Sequence, residues 1–240
     1  MQRGSMSWVY GCLFKKSKHP PINELRVPSY KYHSQIIDLH LGGNPQTITL
    51  LQHPTKPQTS VFVIGNPILP IGEDFKYPNP SDWSAILQDE DMLLSLDGHW
   101  LLIEANENSL IFRNDSLGKR SMYIHEDNDR LFFCSELPLL KQECALSINW
   151  DTLGAYWHGM FPPQLRRYAA SNKSYYHNVT MMGTSAKVVL NQSQLVLSEQ
   201  PWLPSSQAKN PETLLKNLCL LPLREGKRIC LGITGGMDIR

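Results

Sequence analysis

The chain has 240 residues, 41% of them hydrophobic and 19% charged, with a formal net charge of +1. That is enough apolar mass for one large domain, or one and a part, around a buried core, and a charge so near zero argues against a nucleic acid or an anionic membrane as partner. No apolar run reaches the ~20 residues of a membrane-crossing helix, and the N-terminus lacks the basic, apolar and small-residue succession of a secretory signal.

Trp8-Val9-Tyr10-Gly11-Cys12-Leu13-Phe14 is short, apolar and aromatic-rich, the composition of a buried strand. Residues 15–32 carry three prolines and little periodicity and are expected as loop. Residues 48–51 and 60–64 read as strands separated by His53-Pro54-Thr55-Lys56-Pro57, and the proline-rich stretch 67–80 reads as irregular. Ser81 is placed to cap a helix with Trp83, Ile86, Leu87 and Leu94 on one face and residues 89–91 on the other.

From Gly98 to Ser135 the pattern predicts four short strands, with turns at Asn106-Glu107-Asn108, Ser116-Leu117-Gly118 and Glu126-Asp127-Asn128-Asp129. Alternation is imperfect there, as expected of a sheet covered on both faces. Ser135 has the character of a helix cap, residues 151–160 form a helix, and 175–197 supply further short strands. The stretch 200–211, with Pro201, Pro204, Ser205 and Ser206, has the composition of an interdomain connection. A helix over 212–221, with Leu214, Leu215, Leu218 and Leu221 along one face, then leads to the apolar segment Arg228-Ile229-Cys230-Leu231.

That segment runs into Gly232-Ile233-Thr234-Gly235-Gly236-Met237-Asp238-Ile239-Arg240. A strand followed by a hydroxyl residue, two glycines and an acid suits an ATP pyrophosphate site. Glycines let backbone N–H groups close on oxygens, Thr234 can donate to phosphate, and Asp238 can hold Mg²⁺ or cap a following helix. The alternative is a Gly-Gly turn after a buried strand, with Asp238 as an ordinary cap. On the first reading the nucleotide-binding residues are Thr234, Gly235, Gly236 and Asp238, and a pocket of this kind needs walls from further elements of the same sheet.

The five cysteines, Cys12, Cys134, Cys144, Cys219 and Cys230, are odd in number and widely spread. They read as reduced, mostly buried thiols of a cytoplasmic protein. The eight histidines show no metal-ligand spacing, and His99, His125, His158 and His177 read as polar surface or turn residues. Asp115 is expected to close its turn by accepting backbone N–H bonds, and Gly118 to supply a positive-φ position.

Three ordered segments carry a family resemblance: Asp97-Gly98-His99-Trp100-Leu101-Leu102-Ile103-Glu104-Ala105, Arg113-Asn114-Asp115-Ser116-Leu117-Gly118-Lys119-Arg120-Ser121-Met122-Tyr123-Ile124, and Phe133-Cys134-Ser135-Glu136-Leu137. With the helix around Leu153-Gly154-Ala155-Tyr156-Trp157, the hairpin around Lys187-Val188-Val189-Leu190 and the match of 228–240 to an S-G-G-x-D-S loop, the chain resembles the asparagine synthase family over roughly 90 to 240. The resemblance implies an α+β fold. Residues 1–199 would form an N-terminal-nucleophile-type αββα sandwich of the glutamine-amidotransferase kind and 200–211 a linker. Residues 212–240 would then be the first helix and strand of a truncated ATP-pyrophosphatase synthetase domain. It implies an ATP- and Mg²⁺-dependent ligase that adenylates a small-molecule or peptide carboxylate and passes it to an amine.

A glutaminase of this family uses a cysteine as the first residue of the mature chain, whose α-amino group serves as base. Neither Met1-Gln2 nor Met6-Ser7 as a start exposes one, and Cys12 lies inside the first apolar strand. The family's arginine-led strand and the turn after it are reduced to Ile64-Gly65-Asn66-Pro67-Ile68, where a proline removes a backbone donor. The resemblance is therefore to members without glutaminase activity, such as β-lactam synthetase and the lasso-peptide cyclases. Ile239 stands where the family has serine, which leaves a second reading open: a non-catalytic scaffold or docking module of the same descent. A homodimer is left open.

Overall fold

Two antiparallel sheets lie face to face in the computed structural model, which describes residues 7–16, 22, 25–159, 174–192, 194–199 and 210–226. In chain order the first half contains β1 (Trp8–Phe14), β2 (Tyr30–His33), β3 (Ile37–Gly42), β4 (Ile48–Gln52), β5 (Ser60–Ile71), β6 (Asp74–Lys76), α1 (Pro80–Ile86) and α2 (Glu90–Leu94). There follow β7 (Asp97–Ala105), β8 (Ser109–Asn114), β9 (Tyr123–Glu126), β10 (Arg130–Cys134), α3 (Leu137–Glu143) and α4 (Trp150–Gly159). The last are β11 (Val179–Met181), β12 (Ala186–Asn191), β13 (Leu195–Glu199) and α5 (Pro211–Arg224). The first sheet has the order β11-β9-β10-β1-β3-β2; the second has the order β13-β12-β8-β7-β5-β4, with β6 paired to the far end of β5.

Residue alternation decides the layers, because successive side chains of a strand point to opposite faces. Val9 and Leu13 of β1, Leu39 of β3 and Phe133 of β10 meet Phe62, Ile103 and Phe112 of the other sheet in a single buried cluster. The residues between them, Trp8, Tyr10, Cys12 and Phe14 with Phe132 and Cys134, face outward and are packed by Leu139 and Leu140 of α3. On the second sheet Val61, Val63, Trp100 and Leu102 face outward under Trp83 and Ile86 of α1 and Leu93 of α2. β1 is buried at each of its residues because it is covered on both sides, which explains the blurred alternation of its sequence.

At the centre, Gly11 lies on the inner face opposite Phe133 in the ladder, and the Phe133 ring occupies the space a side chain would take. That lets Phe133 tilt onto Phe112 across the sandwich with ring centroids 5.1 Å apart. An aromatic pair of this kind contributes about 0.5–1.5 kcal/mol beyond its area burial.

Several expectations are corrected. Residues 30–32 are not loop: with His33 they form β2, an edge strand paired with β3. The irregular stretch expected from Pro67 is in part strand, since β5 runs through Pro67 and Pro70 to Ile71 and turns into β6. β4 pairs with β5 only as far as Ile64; beyond it Pro67 stands opposite Gly98 of β7 and Pro70 opposite Phe75 of β6. The single helix expected after Ser81 is two. α1 is capped by Asn79, whose side chain accepts from the Ser81 and Asp82 amides while Asp82 reaches back to the Asn79 amide. α2 is capped by Asp89, and Leu93 rather than Leu94 is its buried leucine. Ser135 caps nothing: its hydroxyl accepts from the Val9 amide and donates to the Val9 carbonyl, tying β10 to β1.

α5 is capped by Asn210 and extends to Arg224, past the expected end. It docks on the β5–β6 hairpin by burying Leu221, by an Asn217 side-chain bond of 2.8 Å to the Glu73 carbonyl and by an Arg224–Asp74 ion pair at 2.6 Å. The connection expected at 200–211 lies outside the described residues except for Asn210 and Pro211. Among the described residues no helix is long and apolar enough to cross a membrane.

Gly11→Ala drives a methyl group into the Asp38 carbonyl oxygen and the Phe133 ring, and is expected to lower unfolding free energy by about 1–3 kcal/mol. Gly154→Ala in α4, where an added Cβ meets nothing within 4 Å, is expected to raise it by about 0.5–1 kcal/mol. Denaturant unfolding of the two variants checks the contrast.

Candidate functional site

Cys12 lies in the middle of β1, between Phe132 of β10 and Asp38 of β3, with the ladder complete on both sides. Its side chain is fully buried among Trp8, Tyr10 and Phe132, and burial pushes the thiol far above its usual range. Cys134 and Cys144 share this cluster, their thiols pushed up to about 12 and about 11 by the same desolvation. A thiol held protonated and walled off has neither the charge nor the access of a nucleophile. Cys219 is exposed, and Cys12, Cys134, Cys144 and Cys219 are all free.

The N-terminal end of β1 is also tied down. Ser7 is 3% exposed; its hydroxyl donates to the Asn44 carbonyl at 3.2 Å and shares a hydrogen bond with the Thr47 hydroxyl, while its own carbonyl accepts from Arg120 at 2.7 Å. Arg120 reaches there from the Asp115 turn, which behaves as expected. Asp115 is fully buried, one oxygen accepts from the Leu117 and Lys119 amides and the other from Arg120, and Gly118 has φ +63°. Asn114 adds bonds to the Gly183 carbonyl and the Ala186 amide, fastening the turn to β12. Each of these side chains makes at least one hydrogen bond to backbone.

The arrangement that sequence reasoning missed is a buried polar line under Ile22, Leu25 and Arg26. Asp38 and His40, two apart on β3, share its outer face, and Tyr10 stands opposite His40 on β1. His40 Nε2 lies 3.0 Å from Asp38 Oδ1, and its Nδ1 lies 3.1 Å from the Tyr10 hydroxyl. A carboxylate only accepts, so Nε2–H donates to Asp38, while Nδ1 shares a hydrogen bond with the Tyr10 hydroxyl, which also donates to the Arg26 carbonyl at 3.4 Å. All three side chains are buried. The second Asp38 oxygen accepts the Ile22 amide at 2.9 Å, and the Tyr10 oxygen accepts the Leu25 amide at 2.9 Å. Acid, imidazole and hydroxyl stand in the order of a proton relay, but the acid and the hydroxyl are also engaged by backbone amides, and the exposed His33 ring lies 3.9 Å from Asp38. The line holds the overlying segment in place, helped by Arg26 stacked over Trp8 and paired with Glu136. The signal available in the sequence was the alternation Ile37-Asp38-Leu39-His40-Leu41.

A second polar network lies on the outer face of the other sheet. Glu104 and Arg113, both about 95% buried, approach at 3.8 Å; Lys56 pairs with Glu104 at 3.0 Å, and Glu90 takes Arg113 in a bidentate pair at 2.5 and 3.1 Å. His53 is buried 3.9 Å from Glu104, and burial, with Lys56 adding to it, lowers its pKa. His99 is half-buried in β7 rather than at the surface, its pKa lowered by burial and then by Arg120. His125 belongs to β9, with Nδ1 3.1 Å from the Asn178 carbonyl. Among the described residues no three metal-ligating side chains converge. A cleft of about 800 Å³ is lined by Lys15, His125, Asp127, Tyr176 and Asn178.

The residues expected to hold nucleotide, Thr234, Gly235, Gly236 and Asp238, lie outside the described residues.

Asp38 gives the buried line a pH signature. Burial would raise its pKa, but the bonds from His40 and the Ile22 amide outweigh burial and hold it below the usual value. A carboxyl depressed in the folded state stabilises fully above its unfolded pKa of about 3.9, and that contribution is lost as pH falls through the lowered folded value. Asp38→Asn is expected to lower stability at neutral pH by about 1.5–3 kcal/mol and to flatten the acid limb of the stability curve below about pH 4, read by urea unfolding across pH.

No protein-family model and no curated protein matches the chain. Among solved structures it is similar to the glutamine phosphoribosylpyrophosphate amidotransferase from B. subtilis complexed with ADP and GMP, at 13% identity and a TM-score of 0.41, over 82% of this chain and 43% of that one. It is likewise similar to the allosteric regulatory enzyme of purine biosynthesis, at 12% identity and a TM-score of 0.40, over 84% of this chain and 44% of that one. The chain spans less than half the length of either, and similarity at this level decides neither fold nor chemistry.

Proposed function

We propose that the chain is the N-terminal part of an ATP-dependent, amide-forming ligase of the asparagine synthase kind, in which an N-terminal-nucleophile-type sandwich has kept its layers and lost its glutaminase. The observation that carries the second half is the placement of Cys12. A thiol in mid-strand, paired on both sides and desolvated, cannot attack glutamine. The amine is therefore free ammonia or a substrate amine, and the protein works in the cytoplasm.

Support for the first half comes from the sequence. Thr234, Gly235, Gly236 and Asp238 follow an apolar segment in the pattern of a pyrophosphate loop, and α5, the element before that segment, is seated on the sandwich through Leu221, Asn217 and Arg224. On this reading the loop amides and Thr234 hold the phosphates of ATP, and Asp238 holds Mg²⁺. The ion would neutralise the charge that builds on pyrophosphate as a carboxylate is adenylated. The amine then attacks the acyl adenylate, forming the amide and releasing AMP. Ile239, in the place of the family's serine, favours the competing reading of a docking module, and one assay separates the two.

ATP–pyrophosphate exchange on the longest gene product, with amino acids and ammonia offered, is expected to be measurable and to fall about 100-fold or more in Asp238→Ala. Glutamine is expected to yield no glutamate, and Cys12→Ala to leave the exchange rate unchanged. Absence of exchange together with absence of ATP binding by calorimetry would leave the docking module as the function.

A further inference from the structure

We infer that a single buried water sits between α2 and the outer face of the second sheet, shared by Trp100 and Arg113. Trp100 is 4% exposed and Arg113 6%, and both carry a buried N–H with no protein acceptor, Nε1 of Trp100 and Nε of Arg113. Both side chains line one small cavity of about 10 Å³, closed by Leu93, Leu96, Ser116 and Ser185. That volume is the room one water needs, and a buried water needs two to four polar partners. The lining residues can supply them: Trp100 and Arg113 bring the two unpartnered N–H donors, and Ser116 and Ser185 are hydroxyl residues of the same lining. Buried donors are rarely left unpaired in folded proteins, so a pair of them on a polar, water-sized cavity points to an occupant that accepts.

Charge decides for water over a halide. Arg113 already meets Glu90 in a bidentate pair, and Glu104, itself paired with Lys56, stands 3.8 Å from the unpartnered nitrogen. No positive surplus remains to repay the desolvation of an anion. The water also has a structural task. Ser116 belongs to the Asp115 turn, the Ser185 amide donates to the Asp115 carbonyl, and Leu93 is the buried leucine of α2. The site therefore joins the helical layer to the turn that also anchors Arg120 and the start of β1.

Cross-relaxation spectroscopy on the intact chain tests this. The Trp100 Nε1–H resonance, assigned by its loss in Trp100→Phe, is expected to show a cross-peak to water with the sign of a bound molecule and no shift on titration with bromide. A folded spectrum without that cross-peak, or a saturable bromide shift, would overturn the inference, the latter in favour of an anion site. If Trp100→Phe does not fold, a high-resolution crystal structure of the unsubstituted chain decides instead. One solvent peak about 3 Å from both nitrogens supports the water, and an empty cavity overturns it.

Discussion

The contact between the two sheets, centred on Phe133 lying over Gly11 and tilted against Phe112, is the constraint on which the rest of the molecule depends. It requires glycine in the middle of β1 and sends every second residue of β1, β3 and β10 to the outer face. Those outer residues include Tyr10, Cys12, Asp38 and His40, and once the sheets close they have to be covered in turn. α3 covers the β9 and β10 side with leucines, whereas Ile22, Leu25 and Arg26 lie over the β1 and β3 side. The Ile22 and Leu25 amides need acceptors there. Asp38 and the Tyr10 hydroxyl provide them.

The same logic explains how charge is handled on the second sheet. Arg113 and Glu104 face outward from neighbouring strands beneath short helices, and neither could be buried alone. Lys56 and Glu90 reach in from the periphery to balance them. Most of the buried polar groups described on the two sheets thus serve backbone or one another.

Local signals made much of this fold legible. β1 was visible as an aromatic-rich run, and the strands between 98 and 135 were bounded by turns whose Asp and Asn side chains hold them. Asn106 accepts from the Asn108 and Ser109 amides, and Asp127 from those of Asp129 and Arg130. β2 is not legible because a proline-rich stretch runs into it, and the part of β5 beyond residue 64 is not legible because a proline's acceptability in a strand depends on whether a neighbouring strand needs its N–H. The helix after residue 80 was legible as apolar periodicity, but not its break, since Asp89 can equally stand on a helix surface or cap a new helix.

By itself the sequence determined the apolar strands, the turn at Asp115 and Gly118 and the spread of thiols, because each is a matter of residue type within a short window. Only the tertiary structure decided that Cys12 is sealed, that Tyr10 meets His40 and that α5 sits on the β5–β6 hairpin. These depend on which strands become neighbours. Tyr10 and His40 are thirty residues apart in the chain and touch only when β1 and β3 pair. Burial, which turns a cysteine from a candidate nucleophile into packing, is a property of the layers that close over it.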